Sequence, residues 1–196
     1  MGKLLKLPYD KVFFTSDTHF GHSNIIKYCN RPFKDRDEMN ETLISNWNKV
    51  VPEDGVVIHC GDFVFAGGDK IKQILERLNG HKHLVLGNHD HQINFPNNYP
   101  YFETVGDFGL IRVIGDTEIP SQDIFCCHYP MITWDQAHRG SWNVFGHIHT
   151  CKGQNMITNK QSPNQYDVGV DQNDYTPVSF QQLKEIITKQ NLHGIL

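Results

Sequence analysis

The chain has 196 residues, and no apolar run in it is long enough to span a membrane. Met1 to Tyr9 lacks the apolar core of a secretory signal, and Lys6 stands where a myristoylation signal after Gly2 needs Ser or Thr. A cytoplasmic location without membrane attachment is the expectation. Positive charge is also scarce. Eighteen Lys and Arg against 22 Asp and Glu leave a net charge of −4, which argues against strong nucleic-acid affinity. A small phosphorylated ligand stays open, because a bound metal would supply positive charge locally. The five cysteines, at 29, 60, 126, 127 and 151, are odd in number and none has zinc-knuckle spacing, so neither a disulfide framework nor a thiolate zinc site is expected. Cys60 and Cys126 fall in apolar runs and read as small core residues. There is no repeat, no low-complexity tract and no linker, so residues 1–196 read as one domain. Oligomeric state is not encoded in any of this.

Histidine is what the chain has in excess. Of its twelve, five lie in short polar clusters: Asp17-Thr18-His19, Gly61-Asp62, Gly87-Asn88-His89-Asp90, His128 and Gly146-His147-Ile148-His149. Each cluster follows a β-rich apolar run: Val12–Ser16, Val56–Cys60, His83–Leu86, Ile124–Cys127 and Trp142–Phe145. The runs are nearly continuous rather than alternating, which predicts strands covered on both faces. Apolar residues at helical spacing predict helices over Asp37–Val50 and Asp69–Leu78, the second stopped by Asn79-Gly80. An α/β class follows. Between Tyr101 and Ile119, short β-like runs over 102–105, 110–114 and 118–119 leave no room for a helix and predict antiparallel pairing. A late strand over Tyr166–Val170 and a closing helix over Ser179–Lys189 follow the polar loop 152–165.

In an open α/β sheet, ligands bind beyond the carboxyl ends of the strands, where all five clusters fall. Asp17 and His19 are two apart, as are His147 and His149, and on an extended chain each pair would face one way. With Asp62, Asn88 and His128 they make seven nitrogen or oxygen donors. A closed tetrahedral site needs four, so the surplus points to two metals sharing a carboxylate. Such a pair, roughly 4 Å apart, suits displacement at phosphorus. Taken singly, each cluster reads more readily as a turn, a helix cap or a satisfied core histidine; five in one order, each ending a strand, reverse that balance.

Together and in this order, the five clusters resemble the motif set of the calcineurin-like metallophosphoesterases, including small phage and bacterial members. The resemblance implies a four-layer αββα sandwich with two mixed central sheets flanked by helices. It also implies two divalent ions, manganese or iron favoured, with zinc, nickel and cobalt open. Asp17, His19 and His149 would hold one, Asn88, His128 and His147 the other, and Asp62 would bridge. His89 would be the catalytic histidine, oriented by Asp90. The implied reaction is hydrolysis of phosphodiesters or phosphomonoesters, small or nucleotide, by in-line attack of metal-bound hydroxide with His89 assisting.

Departures from the family pattern narrow the substrate. Phe63-Val64-Phe65-Ala66-Gly67 replaces the arginine-bearing continuation of the phosphoprotein phosphatases, which argues against a protein phosphatase. His22 and Arg31 are candidate phosphate contacts, the alternative being that Ser23 or Asn24 caps a helix, His22 packs beside it and Arg31 is solvated. The aromatic segment Tyr129–Trp142 would form a rim over the metals, with Arg139 as a further phosphate contact. His81, His83 and His91 read as loop polarity. The rival from another class is a non-catalytic metal-binding interaction module on the same fold, which an intact His89 disfavours. A metallo-β-lactamase-like hydrolase would need an Asp-His pair where Thr150-Cys151 stands.

Overall fold

The computed structural model describes residues 4–65, 69–90, 101–150 and 162–193. The five apolar runs form strands: β2 (Val12–Thr15), β3 (Val56–His59), β4 (His81–Val85), β7 (Gln122–Cys127) and β8 (Trp142–Phe145). The remaining strands are β1 (Leu5–Pro8), β5 (Thr104–Gly106), β6 (Phe108–Ile114), β9 (Gln165–Asp167) and β10 (Val178–Ser179). They make two mixed five-stranded sheets, ordered β10-β2-β3-β4-β5 and β1-β6-β7-β8-β9. In the first, β2 to β5 are parallel and β10 runs against β2. In the second, only β6 and β7 are antiparallel. The strands that end in a cluster are therefore parallel to one another within each sheet, which carries all five clusters to matching ends.

Helices flank the sheets. Helix α2 (Arg36–Val50) opens on Asp35, whose side chain accepts from the Glu38 amide at 2.9 Å, while Glu38 accepts from the Lys34 amide at 2.7 Å. These contacts satisfy amide groups at the helix start that would otherwise lack partners. Its buried Met39, Leu43, Ile44 and Trp47 pack with Ile71, Ile74 and Leu75 of α3 (Asp69–Leu75) against Phe13, Val57 and Leu84. The other core joins the sheets through Phe14, Ile58, Val85, Ile111, Ile124 and Val144, and takes in Phe180, Leu183 and Ile187 of α4 (Phe180–His193). No helix among the described residues is long and apolar enough to cross a membrane.

Several local expectations are corrected. The run over 102–105 contributes to β5, which pairs parallel with β4, so of the strands in this stretch only β6 pairs antiparallel, with β7. Residues 118–119 form no strand, because Asp116 Oδ1 accepts both their amides at 2.8 Å. His81 and His83 belong to β4, where His83 Nδ1 meets Thr104 Oγ1 at 2.8 Å and pins β5. Neither Ser23 nor Asn24 caps α1 (Ser23–Tyr28); His22 holds the cap position without a capping side-chain bond. His91, Cys151 and the loop before residue 162 lie outside the described residues.

The Trp142 and Phe180 rings stack at 5.6 Å and fasten α4 to β8. Phe180→Ala should cost about 3–5 kcal/mol of stability in urea unfolding. Ile132→Ala, at a position 99% exposed, should stay within about 0.5 kcal/mol. Equal losses would show that the stack does not anchor the helix.

Candidate metal centre

All seven predicted donors come together. The liganding atoms of Asp17, His19 and His149 lie within 4.8 Å of one another, and so do those of Asp62, His128 and His147. Asp62 Oδ2 stands between the groups, 3.5 Å from His19 Nε2 and 3.5 Å from His128 Nε2. Asn88 Oδ1 is 3.1 Å from His128 Nε2.

The backbone that does this is unusual. Asp17, His19, Asp62, His147 and His149 all have positive φ, from 47° to 73°. The paired donors are thus not aligned by an extended chain, as their spacing predicts, but by left-handed turns just past each strand. Such conformations are uncommon for residues with a side chain and cost of order 1–3 kcal/mol each. Hydrogen bonds between loops hold them. The His147 amide donates to Asp17 Oδ2 at 3.0 Å, the Asp17 amide to the Gly61 carbonyl at 3.0 Å, and the His19 amide to the Asp62 carbonyl at 3.0 Å. Two motif glycines allow the approach: a Cβ on Gly146 would stand 2.3 Å from Asp17 Oδ2, and one on Gly87 would stand 2.3 Å from Asp62 Oδ1.

Asp90 does not orient His89. Its buried carboxylate accepts three backbone amides, those of Asp62 and Gly87 at 2.8 Å and of Phe63 at 2.9 Å. It is the clamp that fixes the Asp62 loop against the Gly87 loop. His89 is placed instead by its own amide, which donates to Asp62 Oδ1 at 2.9 Å. Its ring lies 5.5 Å from that of His19.

The other candidates separate. His22 is at the centre, its ring 5.4 Å from that of His19. Arg31 is neither solvated nor free for phosphate. It is 4% exposed. Nε and Nη2 grip Asp171 at 2.8 and 2.9 Å, and Nη2 and Nη1 donate to the Asp17 and Thr18 carbonyls at 2.7 and 3.1 Å. Arg139 lies in a short 3-10 helix (Ala137–Arg139) leading into β8, beside a cleft lined by Arg112, Gln122 and Asp123. Those residues sit at the ends of β6 and β7 away from His128, with Asp123 five strand residues, roughly 16 Å, before it, so Arg139 borders the end of the sheet opposite the donors. From the Tyr129–Trp142 segment, Tyr129 packs on His147 at 4.6 Å.

Asp171 is the residue that motif reading misses. It accepts from His149 Nδ1 at 2.8 Å, which fixes the orientation of the ring and, in its neutral form, puts the proton on Nδ1. A cue existed: Asp171 directly follows the run 166–170, the same strand-end position as the five clusters. Cys29, His149 and Asp171 also form a compact group, but Arg31 already occupies both Asp171 oxygens, so the group reads as support for His149.

The donors fit cations. His128 Nδ1 donates to the Cys60 carbonyl at 2.8 Å, so in the neutral ring Nε2 is an acceptor facing the oxygens of Asn88 and Asp62. Both nitrogens of buried His19 lack a hydrogen-bond partner. Acceptors converging on one another in a buried site are stabilised by a positive charge between them. The electrostatics agree. Burial pushes Asp17 up to about 7 and His19 down to about 2. For His149, burial is outweighed by the Asp171 hydrogen bond, and its pKa rises to about 10. For Asp62, burial is outweighed by the hydrogen bond and charge of His128, which hold it below the usual carboxylate range.

Similar proteins carry the same frame. The model of the calcineurin-like phosphoesterases matches residues 10–168. Uncharacterized protein MJ1445 of Methanocaldococcus jannaschii is 34% identical over 182 residues, covering 91% of this chain and 92% of that protein. The Gene 66 protein of Mycobacterium phage L5 is 30% identical over 163 residues, covering 70% and 77% respectively. Among solved structures, the protein of unknown function AQ665 from Aquifex aeolicus superposes with a TM-score of 0.70 at 26% identity, covering 89% of this chain and 98% of that one. With its motif donors drawn into two adjoining groups around Asp62, the chain belongs to the calcineurin-like phosphoesterase family.

Proposed function

We propose that this protein is a dinuclear-metal-dependent phosphoesterase acting on phosphodiesters, phosphomonoesters or both, with small or nucleotide substrates. The observation that carries this reading is Asp62 Oδ2 midway between His19 Nε2 and His128 Nε2, with His89 on a backbone amide bonded to the other Asp62 oxygen. Asp17, His19 and His149 would hold one divalent ion, Asn88, His128 and His147 the second, with Asp62 shared. All donors are nitrogen or oxygen, which suits manganese or iron and leaves zinc, nickel and cobalt open. When bound, the ions neutralise phosphoryl charge and make water acidic enough to act as a nucleophile near neutral pH.

The protein's part is placement and proton handling. Asp62 and the histidines fix where the phosphoryl group sits. His89, half-buried at the mouth, donates a hydrogen bond to the departing ester oxygen and then a proton. Asp90 keeps the Asp62 and Gly87 loops in register, which keeps His89 over the donors. Manganese-loaded protein should hydrolyse an aryl phosphodiester or monoester well above the rate of manganese in buffer. No such rate on either would favour the interaction-module reading.

His89→Gln should retain two metal equivalents by elemental analysis yet lose about 10²–10⁴ in kcat. Full-rate turnover by the loaded variant would remove His89 from the chemistry. Asp171→Asn, which cannot present two acceptor oxygens to Arg31 and His149, should weaken one of two metal-binding steps by about 10–100-fold in calorimetry. Equal weakening of both steps would mean that Asp171 supports the fold rather than His149.

A further inference from the structure

Three of the exposed large hydrophobic residues stand at the metal centre. Tyr28 is 74% exposed, Phe65 36% and Tyr129 45%. Exposed aromatic surface is costly in water, and its concentration around one group of donors marks a contact surface. The aromatics beside the two donor groups differ. Tyr129 leans on His128 and His147 at 4.9 and 4.6 Å, beside the more open donor group. On the other side Phe65 stacks on His22 at 4.3 Å and 21°, and Tyr28 meets the far edge of His22 at 6.3 Å. His22 Nδ1 has no hydrogen-bond partner, so stacking rather than hydrogen bonding holds that ring.

This second wall adjoins His89. Phe65 is 5.9 Å and His22 6.5 Å from the His89 ring, centroid to centroid. His89 marks the side from which the leaving oxygen departs, so whatever that oxygen carries extends toward Phe65, His22 and Tyr28. A phenol ring bonded directly to the oxygen stays nearer His89 than a ring carried on a sugar. A base borne on a pentose would pass it by one sugar ring and reach the wall. We infer that Tyr28, His22 and Phe65 form a stacking platform for the base of a nucleoside leaving group, so that the substrates are nucleotide phosphoesters rather than alkyl or simple aryl phosphates. Every base has a flat π-face, so such a platform selects for a base without choosing among bases. The inference rests on the hydrolase reading above for the placement of the leaving oxygen.

The test compares substrates that differ only in the base. A nucleoside phosphodiester and its abasic sugar counterpart have the same chemistry at phosphorus. The manganese-loaded protein should favour the base-bearing one by about 5- to 150-fold in kcat/KM, mainly through KM, which is the range that stacking one base supplies. An aryl diester should fall with the abasic compound. Phe65→Leu, which keeps apolar bulk and removes the π-face, should shrink the base-bearing to abasic ratio severalfold. Equal kcat/KM for the two sugar esters would overturn the platform and leave the hydrolase reading standing. If no ester turns over, the hydrolase reading fails separately. The platform is then judged by calorimetry, where a nucleoside monophosphate should bind at least about fivefold tighter than the sugar phosphate. Equal binding would overturn it.

Discussion

The carboxylate of Asp90 fastens the loop after β3 to the loop after β4 through three backbone amides. The geometry of the centre depends on that fastening. Asp62 would face both donor groups only if its loop is held at the observed angle, and His89 is placed by an amide bond to Asp62 itself. The left-handed backbone at five donor positions makes the dependence acute. A strained turn persists only when its surroundings over-determine it. Here that role falls to buried hydrogen bonds between loops, with Asp90 on one side of the site and Arg31 on the other.

The two donor groups are not equivalent. Asp17 and His19 are buried, and His149 is held from behind by Asp171 and Arg31. His147 and Asn88 face solvent. One group is therefore rigid and shielded, while the other is open to a ligand. Under the proposed function, the shielded group would hold its ion on three sides while the exposed group would leave room for a ligand.

Much of the fold and the convergence of the seven candidate donors were legible from the sequence, for one physical reason. Parallel strands buried on both faces appear as unbroken apolar runs, and polar residues that end such runs have few roles other than a site. Val12–Thr15 and Trp142–Phe145 show this with every residue buried. What stayed hidden depended on three-dimensional partners. Arg31 looks like a surface cation until Asp171 appears 140 residues away. Asp90 sits beside His89 in sequence yet turns to amides across the loop. Arg139 shares an aromatic stretch with Tyr129, but the chain between them crosses from the end of β7 back to the start of β8, and spacing alone cannot show that.

The contact between Arg31 and Asp171 also has a temporal meaning. Arg31 is made 140 residues before Asp171. Until residue 171 is made, the guanidinium that ties down the Asp17 and Thr18 carbonyls lacks its anion, and His149 lacks this acceptor. A chain synthesised only as far as His149 therefore carries all five motifs while the contact that supports the first and the last of them is still unmade.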